Sequence, residues 1–234
     1  YLLEKHGLRP NKSLGQNFLL DENVLDKIVE AASIQQQDNI IEVGPGLGVL
    51  TRKLAETAKH VTAIELDRGM VALLERENEQ LTNVQFIHMD ALKYDPPATD
   101  YKLVANIPYY ITSPLISHFL MAENRPKKIV VLIQKEVAEK ICAPEGKLNV
   151  IALHVQIFGK PRIVTKVAPG SFYPEPKVDS AVLEIDVYDK PVVADYIKLY
   201  KLVHRAFSQK RKKLTNSLPE MKDKLIKLEL GSLR

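Results

Sequence analysis

A short apolar run that ends in three closely spaced glycines constrains this chain most. Asn39–Val43 reads as a buried strand, Gly44-Pro45-Gly46-Leu47-Gly48 as a tight loop, and the residues up to about Ala58 as a helix. Glycine reaches positive φ without a steric penalty and lets backbone approach a ligand closely. The rest of the chain keeps the same rhythm. His60–Glu65, Val84–Ile87, Tyr101–Ala105, Lys128–Ile133, Arg162–Val167 and Ser180–Val187 read as further strands. Between them fall helical stretches over Asp67–Asn78, after Ser113-Pro114, from about Lys135, and over Leu148–Phe158, with an earlier helix capped by Asp21 and running to Ala32. Strands alternating with helices predict an α/β fold with a mostly parallel sheet covered on both faces.

Beyond Pro191 the pattern is helical only. Tyr196, Leu199, Tyr200, Val203 and Phe207 recur at helical spacing, so a boundary is expected near Asp189-Lys190-Pro191. This divides the chain into a domain of residues 1–189 and a small helical domain of residues 190–234. Charge follows the same division. From Asp189 onward there are 12 Lys/Arg against 5 Asp/Glu, whereas the remainder holds 21 basic and 24 acidic residues. Lys198, Lys201, Arg205, Lys210, Arg211, Lys212 and Lys213 cluster around Phe207-Ser208, and several can share one helix face. Such a patch suits a phosphate backbone, although a solvated lysine-rich helix has the same composition. Lys12 and Lys127-Lys128 extend the expected basic surface.

The remaining bulk properties exclude whole classes. A 26% charged, 45% hydrophobic chain is a folded protein rather than a disordered one. One cysteine, Cys142, allows no intrachain disulfide and fits a reducing cytoplasm. No apolar run approaches the roughly 18 residues of a membrane span, and no signal peptide is evident. The six histidines lack metal-ligand spacing, so no metal site is expected.

In an α/β sheet, ligands bind beyond the carboxyl ends of the strands. Four groups fall there in series. The first is the glycine loop with Gly44 and Gly46. The second is Glu65, a carboxylate able to accept both hydroxyls of a ribose. The third is Asp90, able to accept from an adenine amino group while the Ala91 N–H donates to the ring. The fourth is Asn106-Ile107-Pro108-Tyr109. There the Asn106 amide oxygen and a neighbouring backbone carbonyl can accept from an exocyclic amine. Pro108 stiffens the turn, and Tyr109 offers a ring face for stacking a base. Each taken singly has a plain structural alternative, a strand-end cap or a proline turn. The glycine loop also occurs in nicotinamide enzymes, but its G-x-G-x-G spacing is not the dinucleotide pattern. The series suits S-adenosylmethionine beside a planar amine.

These residues closely resemble the ribosomal RNA adenine dimethyltransferases. Ser13-Leu14-Gly15-Gln16-Asn17-Phe18-Leu19 matches that family's N-terminal cofactor motif, Glu42–Thr51 its glycine motif and Asn106–Leu115 its catalytic motif. Gly170–Ser180, containing Phe172-Tyr173-Pro174-Glu175-Pro176, matches its late aromatic-proline motif. Within the family, Tyr109–Leu115 and Pro176–Ser180 look most like the bacterial KsgA type. The resemblance implies a Rossmann-like class I methyltransferase sheet with a small C-terminal helical domain. It implies dimethylation of two adjacent adenosines near the 3′ end of 16S rRNA in the immature small ribosomal subunit, by a cytoplasmic monomer. It adds Gln16, Asn17, Leu19 and Leu66 to the cofactor site, and Phe172 opposite Tyr109 around the target base. An Erm-type methylase of 23S rRNA and an assembly factor with a dominant binding role are the alternatives. The family's helical domain usually extends past the end of this chain, and its loop is usually longer than Ala143–Lys147. Both differences bear on RNA affinity more than on chemistry.

Overall fold

The computed structural model describes residues 10–11, 15–208 and 212–227. Lys12, Ser13, Leu14, Lys210 and Arg211 of the sequence reading lie outside the described residues. The chain runs β1 (Phe18–Leu19), α1 (Glu22–Ala32), β2 (Asn39–Val43), α2 (Val49–Ala55), β3 (His60–Glu65), α3 (Arg68–Glu77), β4 (Val84–His88) and β5 (Lys102–Asn106). It continues with α4 (Thr112–Met121), β6 (Lys128–Gln134), α5 (Lys135–Ile141), α6 (Val150–Phe158), β7 (Gly159–Val167), β8 (Phe172–Tyr173) and β9 (Ser180–Val187). Three helices follow, α7 (Tyr196–Phe207), α8 (Leu214–Ser217) and α9 (Lys222–Lys227).

Seven strands form one sheet in the order β4-β3-β2-β5-β6-β9-β7. The first five are parallel, and β9 runs antiparallel to both β6 and β7. Strand order reverses on either side of β2, whose neighbours are β3 and β5. That is where a crevice opens at the carboxyl ends of an α/β sheet. The central strands are apolar on both faces, as sheets covered by helices require. Along β5 and β6, Leu103, Ala105, Ile129, Val131 and Ile133 point into one core with Phe119 and Phe158. Val104, Val130 and Leu132 point into the other, with Leu25, Ile28 and Leu54.

Local chemistry places the ends of the helices. Asp21 caps α1 by accepting from the Asn23 and Val24 N–H groups at 3.0 and 3.4 Å. Asp67 caps α3 through Gly69 and Met70 at 2.8 and 3.3 Å. Several expected boundaries shift. Asn149 accepts from the Ala152 N–H at 3.1 Å, so α6 starts at Val150 rather than Leu148. The strand expected from Arg162 begins at Gly159 and includes Pro161. β7 is an edge strand, where a residue without an N–H is tolerated. β5 ends one residue later than expected and carries Asn106 as its last residue. The two-residue pairing of β1 with β8, Phe18 opposite Tyr173 and Leu19 opposite Phe172, has no counterpart in the sequence reading.

α7 docks on the sheet domain through rings. Tyr196 meets Phe158 and Tyr200 meets His154, each at 5.0 Å between centroids, and the Arg125 guanidinium lies 5.1 Å from the Phe158 centroid. Among the described residues, no helix is long and apolar enough to cross a membrane.

Candidate active site

A cavity of about 320 Å³ opens at the carboxyl ends of β2, β3 and β5. It is lined by every cofactor and catalytic residue expected from the sequence: Gln16, Asn17 and Leu19, Gly44 and Gly46, Glu65 and Leu66, Asp90 and Ala91, Asn106 through Tyr109, and Phe172. The glycine loop forms its floor. Gly44 and Gly46 have φ of 71° and 56°. A Cβ on Gly44 would sit 3.2 Å from the Asn106 carbonyl oxygen, and one on Gly46 would sit 3.0 Å from the Phe18 ring. Side chains at either position would therefore be strained and would crowd the cavity wall.

Glu65 ends β3 almost fully buried, and its Oε1 accepts from the Asp67 N–H at 2.9 Å. Burial raises its pKa, while the backbone N–H groups of Asp67, Gly46 and Leu66 oppose the rise. Asp90 Oδ1 accepts from the Leu92 N–H at 3.0 Å and caps the turn Ala91–Lys93. The capping alternative thus holds for this oxygen, and the residue also lines the cavity. Leu66 is 46% exposed at the cavity, an apolar surface suited to a purine ring.

The Asn-Ile-Pro-Tyr turn leaves β5 directly over the loop. Asn106 Nδ2 donates to the Asn17 carbonyl at 3.4 Å, which ties the N-terminal motif to the catalytic one. The Ile111 N–H donates to the Pro108 carbonyl at 3.2 Å and closes the turn. The Tyr109 hydroxyl and Ser180 Oγ are 2.7 Å apart. Burial raises the tyrosine pKa, so the hydroxyl stays protonated. Phe172 borders the cavity but is mostly a core residue, 4% exposed and packed in the cluster that holds Leu19 and Leu132.

The sequence reading missed three cavity or near-cavity residues. Ser180 anchors Tyr109 from within the late motif. Tyr110 lines the cavity and is 59% exposed. Glu42 is fully buried beneath the glycine loop, beside the buried hydroxyl of Thr51. Burial pushes its carboxyl up to about 8; the Thr51 hydroxyl opposes the rise and the nearby Glu65 adds to it. The signal was a lone carboxylate in an apolar strand immediately before the glycines.

The basic residues divide. Lys198, Lys201, Lys212 and Lys213 are exposed. Arg205 is exposed but held by Glu220 at 2.8 and 2.9 Å, so it is half of a neutral pair. Lys127 and Lys128 do not extend the basic surface. They flank the amino end of β6, opposite the cavity. Lys128 is paired with Glu184 at 2.9 Å and Asp186 at 2.8 Å, and Lys127 lies 3.6 and 3.5 Å from Asp100 and Asp189.

Known proteins are similar to this chain in sequence and fold. The profile of the family described as "Ribosomal RNA adenine dimethylase" matches residues 7–228. The ribosomal RNA small subunit methyltransferase A of Clostridium botulinum (strain Kyoto / Type A2) is 43% identical over 234 residues, covering 94% of this chain and 83% of that protein. The protein of the same description from Dehalococcoides mccartyi (strain CBDB1) is 40% identical over 94% of this chain and 78% of its own length. A dimethyladenosine transferase from Plasmodium falciparum superposes with a TM-score of 0.82 at 29% identity, over 93% of this chain and 91% of that one. The 23S rRNA methyltransferase ErmE superposes with a TM-score of 0.78 at 26% identity, over 93% and 92%. With nearly all its length inside the family profile, this chain belongs to the ribosomal RNA adenine dimethylase family.

Proposed function

We propose that this chain uses S-adenosylmethionine to dimethylate N6 of two adjacent adenosines near the 3′ end of 16S rRNA in the immature small subunit. One observation carries the reading: the Asn106–Tyr109 turn and the glycine loop, Glu65 and Asp90 all face one cavity. The cavity volume lies at the lower end of the roughly 300–1,000 Å³ of small-molecule sites. Its polar groups fit a sulfonium nucleoside. Glu65 would take the ribose hydroxyls, Asp90 and the Ala91 N–H the adenine edge, and Leu66 the adenine face. The glycine loop gives the methionyl end close backbone approach, above the buried Glu42.

When bound, the cofactor supplies an electrophilic methyl group. The chain's own residues prepare the nucleophile. An adenine amino nitrogen is a weak nucleophile because its lone pair is delocalised into the ring. Asn106 Oδ1 and the Ile107 or Pro108 carbonyl would accept its two N–H bonds and hold the nitrogen pyramidal, which frees the lone pair. Alignment of this kind supplies a large part of a rate enhancement. The alkylated nitrogen is acidic, so its proton leaves without a strong base, and the turn contains none. Tyr109, pinned by Ser180, would stack on the extruded base, with the edge of Phe172 bordering the other side. A monomethylated nitrogen keeps one N–H for one of these acceptors, so a second transfer needs only room for the first methyl group.

In this reading residues 1–189 form the catalytic domain and residues 190–234 a basic RNA-binding appendage, whose exposed lysines contact phosphates. In the same reading the chain acts as a monomer in the cytoplasm, where bacterial small subunits mature. The test is transfer of tritium from labelled S-adenosylmethionine to immature small subunits lacking adenine dimethylation, with naked large-subunit RNA in parallel. N6,N6-dimethyladenosine in the small-subunit RNA is the expected product. Label confined to large-subunit RNA would move the assignment to 23S rRNA. No label, with cofactor still bound, would leave only a binding role.

A further inference from the structure

We infer that Tyr110 is a substrate contact, stacking on the base of the nucleotide that flanks the target adenosine. It adjoins Tyr109 in sequence, yet the two rings have different environments. Tyr109 is half-buried with its hydroxyl bound to Ser180, whereas Tyr110 lines the same cavity while remaining 59% exposed. Isolated exposed apolar side chains are ordinary. Among the described residues three exposed large apolar side chains line the cavity, Leu66, Met89 and Tyr110, and Tyr110 alone of them carries an aromatic face. Position and chemistry together therefore distinguish Tyr110.

Its ring is also held. The turn is closed by the bond from Ile111 to Pro108. The Gly15 backbone passes beside the ring edge: a Cβ built there would lie 3.6 Å from Tyr110 Cδ1 and Cε1 and 3.5 Å from Pro108 Cβ. An aromatic fixed at one edge and open to solvent at the mouth of a base-binding cavity is a stacking platform. The substrate chemistry provides a partner. Extruding one adenosine removes a stacking neighbour from the next, which connectivity keeps at the cavity mouth. The Tyr110 ring would replace that lost stack, and a purine offers it a larger face than a pyrimidine.

This inference rests on the proposed two-adenosine substrate. It is tested by methyl transfer to small subunits reassembled on RNA in which one of the two adenosines is replaced by uridine. For the unaltered chain the replacement is expected to raise KM for the subunit about fivefold, with kcat at the remaining adenosine little changed. Tyr110→Ala is expected to start from the raised KM and to be insensitive to the replacement, and Tyr110→Phe to behave as the unaltered chain. An equal cost of the replacement in the unaltered chain and Tyr110→Ala would overturn the inference. So would a Tyr110→Ala defect that lies entirely in cofactor affinity. No transfer by the unaltered chain to unsubstituted subunits would overturn the substrate reading, and this inference with it.

Discussion

Ser180→Ala isolates the contact that holds the tyrosine of the Asn-Ile-Pro-Tyr turn. Ser180 is fully buried at the first position of β9, paired in register with Gln134 of β6, and its Oγ lies 2.7 Å from the Tyr109 hydroxyl. The substitution removes one oxygen and leaves the strand register intact. A neutral hydrogen bond of this kind contributes about 0.5–1.5 kcal/mol net. If that energy holds the ring for the target base, kcat/KM for RNA falls about 2- to 12-fold. Tyr109→Phe removes the same bond from the other end. The double variant should then be no worse than either single one, because the two changes delete one interaction. The assay is initial-rate methyl transfer to immature small subunits, with cofactor affinity measured by calorimetry and folding by thermal melting. Cofactor affinity should be unchanged in all three variants. Additive losses in the double variant would refute the reasoning, since the two hydroxyls would then act separately. An unchanged kcat/KM in Ser180→Ala would show that packing alone positions the ring.

Four other outcomes follow from the same geometry. Gly44→Ala forces a side chain into the left-handed region and against the Asn106 carbonyl oxygen at 3.2 Å. A left-handed residue costs about 1–2 kcal/mol, so the melting temperature should fall; a loop that shifts to relieve the strain loses its close backbone approach, and calorimetry should then show cofactor affinity weakened about tenfold. Asp90→Asn keeps an acceptor for the Leu92 N–H but replaces the other oxygen with a donor. Its melting temperature should hold while cofactor affinity drops about tenfold; equal loss of both would make Asp90 a structural cap only. Glu42 links stability to pH. Its folded pKa of about 8 exceeds the ordinary 4.5, so the unfolded chain releases this proton first and stability falls as pH rises between those values. His154, lowered by burial and by His204 from 6.5 to about 4, acts in the opposite direction below 6.5. The Glu42 effect is therefore cleanest between pH 6.5 and about 8, where it reaches about 1.4 kcal/mol per pH unit at most. Glu42→Gln should flatten the ligand-free melting temperature over that window. Replacing Lys198 and Lys201 together with alanine should weaken RNA binding and reduce the slope of log affinity against log salt by about 1.4–1.8, with kcat at saturating RNA unchanged.

The cavity was legible because each of its groups lies at the carboxyl end of a strand or just past it. Glu65 and Asn106 are the last residues of β3 and β5, Asp90 lies two residues beyond β4, and in a parallel sheet all such ends point to one side. Recognising four strands therefore places four ligands together with no knowledge of the loops between them. Glu42 escaped because it lies inside a strand rather than at its end. There, a charged residue among Ile40, Ile41 and Val43 reads as a solvent-facing alternation. Only the covering of both sheet faces makes it a buried acid.

Long-range pairing accounts for the rest. Ser180 meets Tyr109 across 71 residues, and β1 meets β8 across more than twice that span; neither pairing has a local pattern. The same holds for charge. Lys128 and Lys198 look alike in sequence, but β9 brings Glu184 and Asp186 to Lys128, whereas Lys198 remains exposed on α7. Arg205 is withdrawn from the basic surface by a glutamate 15 residues away, on the turn before α9. A local charge of +7 from Asp189 onward thus identifies the segment that can meet RNA. The proposed function assigns phosphate contact to those the fold leaves without a carboxylate, and this selects Lys198 and Lys201 over Arg205 for the salt-dependence experiment.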